Sequence, residues 1–436
     1  MWHNNTVFYQ IYTLGFCGAP LQNDGAPTAR IDTVAKWIDH YKKMHVGALL
    51  LNPVFESDSH GYDTRDLAKI DVRLGTNQQF AAVCQKLHAA GIRVVLDGVF
   101  NHVGRGFWAF EDVRQNRQAS PYKDWFHISF DGNSNYDDGF WYEGWEGHFE
   151  LVKLNLGNPA VVDYLLECVG KWIDEFDIDG VRLDVAYLLP QDFLRRLRGY
   201  VNGKKPDFFL VGEMLHGDYK SIIGPDMLDS ATNYECYKGL YSSFNSANLF
   251  EIGYSLNRQF GPESWTLYKG LPLLSFVDNH DVSRIASILE KPEHLPLVYG
   301  VLFGMPGVPC LYYGSEWGAL GDKKDGDAAL REAYAAPVDN DLSALVAKMA
   351  AVRSENEALI HGAYRQVYLT NRQLIFERKT DEKRVLVAVN LEEVAHTAHF
   401  DAGAGMAVDA LTGDKADFGG GYTMPPSSVQ FLEMER

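Results

Sequence analysis

The stretch Asp179-Gly180-Val181-Arg182-Leu183-Asp184 closes an apolar run with an arginine and a carboxylate at alternate positions. Residues 178–183 read as a short β-strand. Side chains alternate along a strand, so Arg182 and Asp184 fall on one side of it, about 6–7 Å apart. Opposite charges inside a fold are costly unless they satisfy each other. The pair is therefore a structural ion pair or an arginine that orients a working carboxylate. Its surroundings along the chain have to separate the two.

Immediately upstream, residues 158–176 carry a helix signature. Asn158 is a competent N-cap, Pro159 suits the first helical position, and Val162, Leu165, Leu166, Val169, Trp172, Ile173 and Phe176 form one apolar stripe. Earlier still, residues 7–14, 46–51 and 92–96 read as strands, the third ending at Asp97, with helical patterns at 31–43 and 77–90 between them. Downstream, strands are expected at 208–211, 228–232, 273–277 and 308–313, and a last helix at 342–359. Strand and helix alternating at this spacing means parallel βα units with right-handed crossovers. Eight strand candidates argue for a closed (β/α)8 TIM barrel.

The alternation fails in two places. Residues 104–149 are rich in Trp, Tyr, Asn, Asp and Gly with little periodicity, and read as an inserted domain after the third strand. The rings of Phe140-Trp141-Tyr142 and Trp145 supply either a core where regular elements are scarce or a lid for a flat ligand. From Tyr364 onward the period changes to two, which predicts a C-terminal antiparallel β-sandwich. The expected division is residues 1–103 and 150–357 for the barrel, 104–149 for the insertion and 358–436 for the sandwich.

A formal charge of −18 over 436 residues repels nucleic-acid backbones and anionic membranes, so neither is an expected partner. The five cysteines are scattered without CxxC spacing, as buried thiols in a reducing compartment would be. No apolar run is long enough to span a bilayer, and Met1-Trp2-His3-Asn4-Asn5 leads into no signal-peptide core, so a cytoplasmic location is expected.

In a (β/α)8 barrel the chemistry gathers at the C-terminal ends of the strands. Asp97, Asp184, Glu213 and Asp281 all fall there, accompanied by Asn101, His102, Asn279 and His280. Four carboxylates around one mouth exceed what upkeep of a fold requires. A metal cluster is the other reading of such residues, and Arg182 is an awkward neighbour for a cation.

Asp97-x-x-x-Asn101-His102, Gly180-x-Arg182-x-Asp184, Glu213 and Asn279-His280-Asp281 resemble, in order, the four signature regions of the α-amylase family of glycoside hydrolases. Tyr62 in Gly61-Tyr62-Asp63 resembles the tyrosine that floors the family's −1 subsite. The resemblance implies a retaining enzyme on α-glucosidic bonds, with Asp184 as nucleophile, Glu213 as general acid/base and Asp281 gripping the distorted −1 sugar. It also implies that Arg182 holds Asp184 ionised, that His102 and His280 bond −1 hydroxyls, that Tyr62 stacks on that ring, and that Asp97 and Asn101 belong to the same substrate site. Retention requires carboxyls about 5–5.5 Å apart. Arg182 is expected to depress the Asp184 carboxyl, and burial with like charge to raise that of Glu213.

Leu151-Val152-Lys153-Leu154-Asn155 and Tyr122-Lys123-Asp124-Trp125-Phe126-His127 resemble the neopullulanase, cyclomaltodextrinase and maltogenic amylase branch. That branch usually carries an N-terminal β-domain that builds a dimer, whereas this chain starts at the first barrel strand. A monomer with an open cleft for linear α-1,4-linked maltooligosaccharides is therefore expected. Cyclomaltodextrinase-like, neopullulanase-like, α-1,6-acting and 4-α-glucanotransferase activities are the alternatives, and a non-catalytic sugar-binding homologue is disfavoured by the intact triad. The resemblance requires no organic cofactor and implies an optional calcium through Asn101, with Asp131, Asp137 or Asp138 as partners.

Overall fold

The computed structural model describes residues 1–403 and 405–434. Eight parallel strands form the central sheet: β1 (Val7–Ile11), β2 (Val46–Leu51), β3 (Arg93–Gly98), β4 (Gly180–Leu183), β5 (Phe209–Gly212), β6 (Ser230–Ala231), β7 (Leu274–Phe276) and β8 (Val308–Tyr312). Neighbours follow chain order, and β1 pairs with β8 through Phe8 and Cys310. The bridge from Thr232 to Leu274, with Asn233 N–H donating to Leu274 O at 2.8 Å, joins β6 to β7 and completes the barrel. The expected closed barrel is the observed one.

The two faces of each strand divide the labour. Outward residues such as Tyr9, Leu49, Leu51, Val94, Leu96, Val181, Leu183 and Leu210 pack into the main core shared with the helices. Inward residues at alternate positions, among them Phe8, Ala48, Leu50, Val95, Phe209, Val211 and Cys310, fill the lumen with an apolar plug. Trp2, in the 3-10 turn Trp2–Asn5, closes its lower end against Phe8 and Phe209.

One inward step further along, the lumen turns polar. Gln10 follows Phe8, Asn52 follows Leu50, Asp97 follows Val95, Arg182 follows Gly180 and Glu213 follows Val211, and all five are buried. Gly180 is required in the layer below, because a Cβ there would lie 2.5 Å from Phe209 O. Arg182 stands in register with Asp97 on β3 and Val211 on β5. The polar layer is thus built from the period-two pattern of several strands at once.

Several expectations need correction. The helix expected over 31–43 is broken at Trp37 into Asp32–Lys36 and Ile38–Lys43, and that over 342–359 is broken at Asn356 into Asp341–Glu355 and Glu357–His361. In the second case the Asn356 side chain accepts from Ala358 and Leu359 N–H, so it caps a new helix instead of continuing the old one. Asp97 lies within β3 rather than after it. The hairpin Phe55–Ser57 with Thr64–Ile70, whose loop carries Tyr62, escaped the sequence reading.

In the inserted region, Trp108–Asn116 is helical despite its weak periodicity. A three-stranded antiparallel sheet there joins His102–Gly104, His148–Lys153 and Gly144–Trp145. Its first strand begins four residues after β3 ends, so the insertion is tied directly to the barrel rim. Phe110, Phe126, Phe140 and Tyr142 are buried in its core, whereas Trp145 lines the cavity described below. The core reading of its aromatic residues thus describes these four rings, and Trp145 is placed differently, on a cavity wall. Towards the C-terminus, a six-stranded antiparallel sheet and the two-stranded sheet His396–Ala398 with Tyr422–Met424 enclose a separate core around Ile375, Leu386, Phe418 and Leu432.

Candidate active site

Four strand ends deliver the charged centre. Arg182 on β4 donates from Nη1 to Asp97 Oδ1 at 2.8 Å and Oδ2 at 2.9 Å, and to Asp184 Oδ1 at 2.9 Å. Its Nη2 lies 2.7 Å from Glu213 Oε1. One buried guanidinium therefore binds three carboxylates. Glu213 also accepts from Val185 N–H at 3.0 Å through Oε2. Val185 supplies that N–H with φ at 40°, a left-handed conformation unusual for a β-branched residue. The turn after β4 thus holds backbone strain in order to point a donor at Glu213.

Asp281 comes from the loop after β7. Arg331 Nη2 lies 3.0 Å from its Oδ1 and His280 Nε2 3.0 Å from its Oδ2. With a side chain 36% exposed, it is the most accessible of the three predicted catalytic carboxylates. Tyr62 stacks on His280 with ring centroids 5.7 Å apart and planes 11° apart. Its hydroxyl donates to Asp97 Oδ2 at 3.0 Å. His102 is buried, with Nδ1 facing the Asn101 amide nitrogen at 3.2 Å, and its Nε2 has no hydrogen-bond partner and stands 3.9 Å from Asp184 Oδ2.

These groups surround a cavity of about 640 Å³. Tyr62, His102, Asp184, Glu213 and Asp281 are on its wall, while Asp97, Asn101, Arg182 and His280 stand behind them. The wall is completed by Trp145 and His148 from the insertion and by Lys323, Asp327 and Arg331 from the loop after β8. Sequence reasoning missed Arg331. It sits in an irregular Gly- and Asp-rich loop, and its only signal was a cation placed downstream of the last strand.

Burial dominates the electrostatics. It pushes the Asp184 carboxyl well up; Arg182 opposes this, while Glu213, Asp97 and Asp281 add to it. Burial likewise raises Glu213, against the pull of Arg182. The expected depression of Asp184 by Arg182 does not occur, because one guanidinium is shared among three carboxylates and burial penalises every charge. Both carboxyls therefore hold their protons above the ordinary carboxylate range. Asp281 goes the other way: burial pushes it up, but His280, Arg331 and Arg182 outweigh this and hold it well below the usual range. Burial lowers His102 to about 3, so its imidazole is neutral.

Two of the carboxylates considered for calcium, Asp137 and Asp138, already have hydrogen-bond partners. Asp138 is held by Arg105 through two bonds of 2.8 and 2.9 Å and accepts from Ser134 Oγ at 2.7 Å. Asp137 Oδ1 takes the Asn133 amide at 2.6 Å, and Asn101 turns its amide nitrogen to His102. Among the described residues, no group of three or more His, Cys, Asp or Glu side chains converges as a metal cluster. No helix among them is long and apolar enough to cross a membrane.

An ionised carboxylate that attacks a sugar carbon and a protonated one that donates to the leaving oxygen can share this site. Comparison with known proteins points the same way. The maltogenic α-amylase of Bacillus acidopullulyticus is 31% identical over 430 residues, covering 92% of this chain and 72% of that protein. A cyclomaltodextrinase from a Bacillus species is 31% identical over 426 residues, covering 91% of this chain and 74% of that protein. The solved cyclic α-maltosyl-(1→6)-maltose hydrolase of Arthrobacter globiformis superposes with a TM-score of 0.85 at 27% identity, covering 100% of both chains. Residues 10–358 match the α-amylase catalytic domain, so the chain belongs to the α-amylase family and is a glycoside hydrolase.

Proposed function

We propose that this enzyme cleaves short and cyclic α-glucans by a retaining mechanism, in the manner of cyclomaltodextrinases and neopullulanases. The observation that carries the chemistry is the single Arg182 guanidinium bound to both Asp184 and Glu213. Asp184 attacks the anomeric carbon of the sugar in the −1 position. As the C–O bond breaks, Glu213 gives its proton to the departing oxygen. Water then attacks the glycosyl-enzyme, Glu213 takes a proton from it, and Asp184 leaves as a free carboxylate. Burial favours the protonated form of Glu213, which supplies the acid for the first step.

The remaining residues bind. Asp281, kept ionised, accepts hydrogen bonds from hydroxyls of the −1 sugar, and His102 offers the neutral Nε2–H that lacks a protein partner. Tyr62 presents its ring as a stacking surface, held by His280 on one side and Asp97 at its hydroxyl. Asp97 and Asn101 act from behind the wall, through Arg182 and His102.

The relatives' activities favour the cyclomaltodextrinase- and neopullulanase-like alternative over the linear maltooligosaccharides first favoured by the sequence. The cavity supports a compact substrate, since Trp145 and His148 of the insertion and Lys323 and Asp327 of the loop after β8 all line it. No cofactor is required for transfer to water, and an intracellular location is supported by five buried free cysteines. The test is parallel incubation with β-cyclodextrin, maltoheptaose, pullulan and isomaltotriose, with products separated by chromatography. Opening of β-cyclodextrin at a rate comparable to maltoheptaose cleavage is expected; attack on isomaltotriose alone would overturn the substrate assignment. Longer oligosaccharides early in the maltoheptaose reaction would reveal transfer to a sugar hydroxyl.

A further inference from the structure

We propose that Gln10, on β1, is a positioning residue: with Asn52 it relays the charge of Asp97 to His280 and holds that imidazole with Nδ1 bare and Nε2 protonated.

The relay begins at a fixed polarity. Asp97 takes both Arg182 contacts as an acceptor. A group facing its Oδ2 must therefore donate, and Asn52 does so with Nδ2 at 2.9 Å. This turns the Asn52 carbonyl towards Gln10, whose Nε2 donates to Asn52 Oδ1 at 3.0 Å. The same Nε2 stands 3.0 Å from His280 Nδ1. Since an amide nitrogen has no lone pair to offer, Nδ1 must accept.

The imidazole proton then resides on Nε2. That nitrogen faces Asp281 Oδ2 at 3.0 Å and the Tyr62 hydroxyl at 2.5 Å. Tyr62 closes the circuit: its oxygen accepts from Asn52 Nδ2 at 3.1 Å and donates to Asp97 Oδ2 at 3.0 Å. Reversing either amide would set the Asn52 oxygen against the Asp97 carboxylate or leave the Gln10 nitrogen without an acceptor. Buried polar groups do not tolerate such mismatches. The carboxylate on β3 thus dictates the tautomer of a histidine beyond β7, on the far side of the lumen.

The consequence is functional, and its kinetic arm rests on the −1-site assignment above. With Nε2–H directed at Asp281 and Tyr62, both the hydroxyl-gripping carboxylate and the stacking ring are held from one imidazole. The opposite tautomer would present a lone pair to the Asp281 carboxylate and release it.

The test is a multiple-bond ¹H–¹⁵N correlation spectrum of histidine-labelled protein, with His280 assigned by its loss in His280→Gln. Wild type is expected to show the Nε2–H tautomer; an Nδ1–H signature overturns the proposal. Gln10→Glu replaces the donor with an acceptor and should place a proton on Nδ1. It should also lower kcat/KM by about 10–100-fold, by analogy with the range seen when the outer hydrogen-bond partner of a metal-ligating histidine is removed. Gln10→Leu, which only deletes the donor, should fall between wild type and Gln10→Glu. Unchanged His280 resonances in Gln10→Glu would sink the relay. Should that variant not fold, the wild-type spectrum decides alone. The spectra read the tautomer whether or not the substrate assignment holds.

Discussion

Arg182 Nη2 lies 2.7 Å from Glu213 Oε1 while Nη1 of the same side chain holds Asp184 Oδ1 at 2.9 Å. A planar fork is suited to this bridging, because its donors have fixed directions and its charge does not titrate in the working range. The bridge places two carboxyls side by side in a buried site without requiring both to be ionised. Asp97 secures the arginine from below.

Replacing Asp184 by Asn separates chemistry from fold. Turnover of maltoheptaose is expected to fall to well under about 5% of wild type, since the covalent step is lost along with more than the ~10²–10⁴-fold of a single proton-transfer group. Stability should move the other way. A carboxyl raised in the native state binds its proton more tightly there than in the unfolded chain, so its contribution is present below the unfolded value and lost as pH rises. That loss sets in as pH rises above the ordinary carboxylate range, and D184N removes it. A melting temperature at or above wild type, with activity absent, is the expected pair of results from thermal unfolding at pH 7.

Asp278 offers a cleaner titration. Burial pushes its carboxyl up to about 6 despite Arg284, Ile285 N–H and Ser315, and Glu316 pushes further in the same direction. Stability contributed by this group is therefore present below pH 4 and lost as pH rises through about 6. The stability of Asp278→Asn relative to wild type should climb between pH 4 and pH 7, by at most about 3 kcal/mol, and level off above that window. Urea unfolding at several pH values reads this slope, and a flat difference would contradict it.

Arg182→Met would leave Asp97, Asp184 and Glu213 buried together without their shared cation. Removing one partner of a buried charge network typically costs about 3–5 kcal/mol. The expected outcome is a clear loss of thermal stability at neutral pH, partly recovered in acid as the carboxylates protonate. Arg182→Lys should rescue only part of it, because a point charge cannot bond all three groups at once.

In the insertion, Arg105 neutralises Asp138 and lies over the Tyr136 ring at 3.8 Å. A guanidinium already occupies one of the acidic donors considered for a cation. A chelator should therefore change neither melting temperature nor activity. Arg105→Met should destabilise by about 1–3 kcal/mol, as expected for a partly buried charged hydrogen bond, and raise KM through a loosened Trp145 wall. Calorimetry and steady-state kinetics, each with and without chelator, check both statements.

Much was written in the order of residues along the chain. Strand-length apolar runs separated by helical patterns specify parallel βα units, and the positions of Asp97, Arg182, Asp184 and Glu213 at strand ends follow from that rhythm. What the chain could not declare is how far charge is diluted in three dimensions. Arg182 is two residues from Asp184, which makes it look like a private partner, yet barrel closure also brings it against Asp97 and Glu213. Burial of all four together then raises Asp184 rather than lowering it. Arg331 and Gln10 were invisible for a similar reason. One lies in an irregular loop and the other in an ordinary strand, and only curvature of the sheet brings β1, β3 and the loop after β7 within hydrogen-bond distance of one another. Local pattern determines the elements because it acts through neighbouring residues. Proton positions depend on distances across the lumen, and those exist only once the barrel has closed.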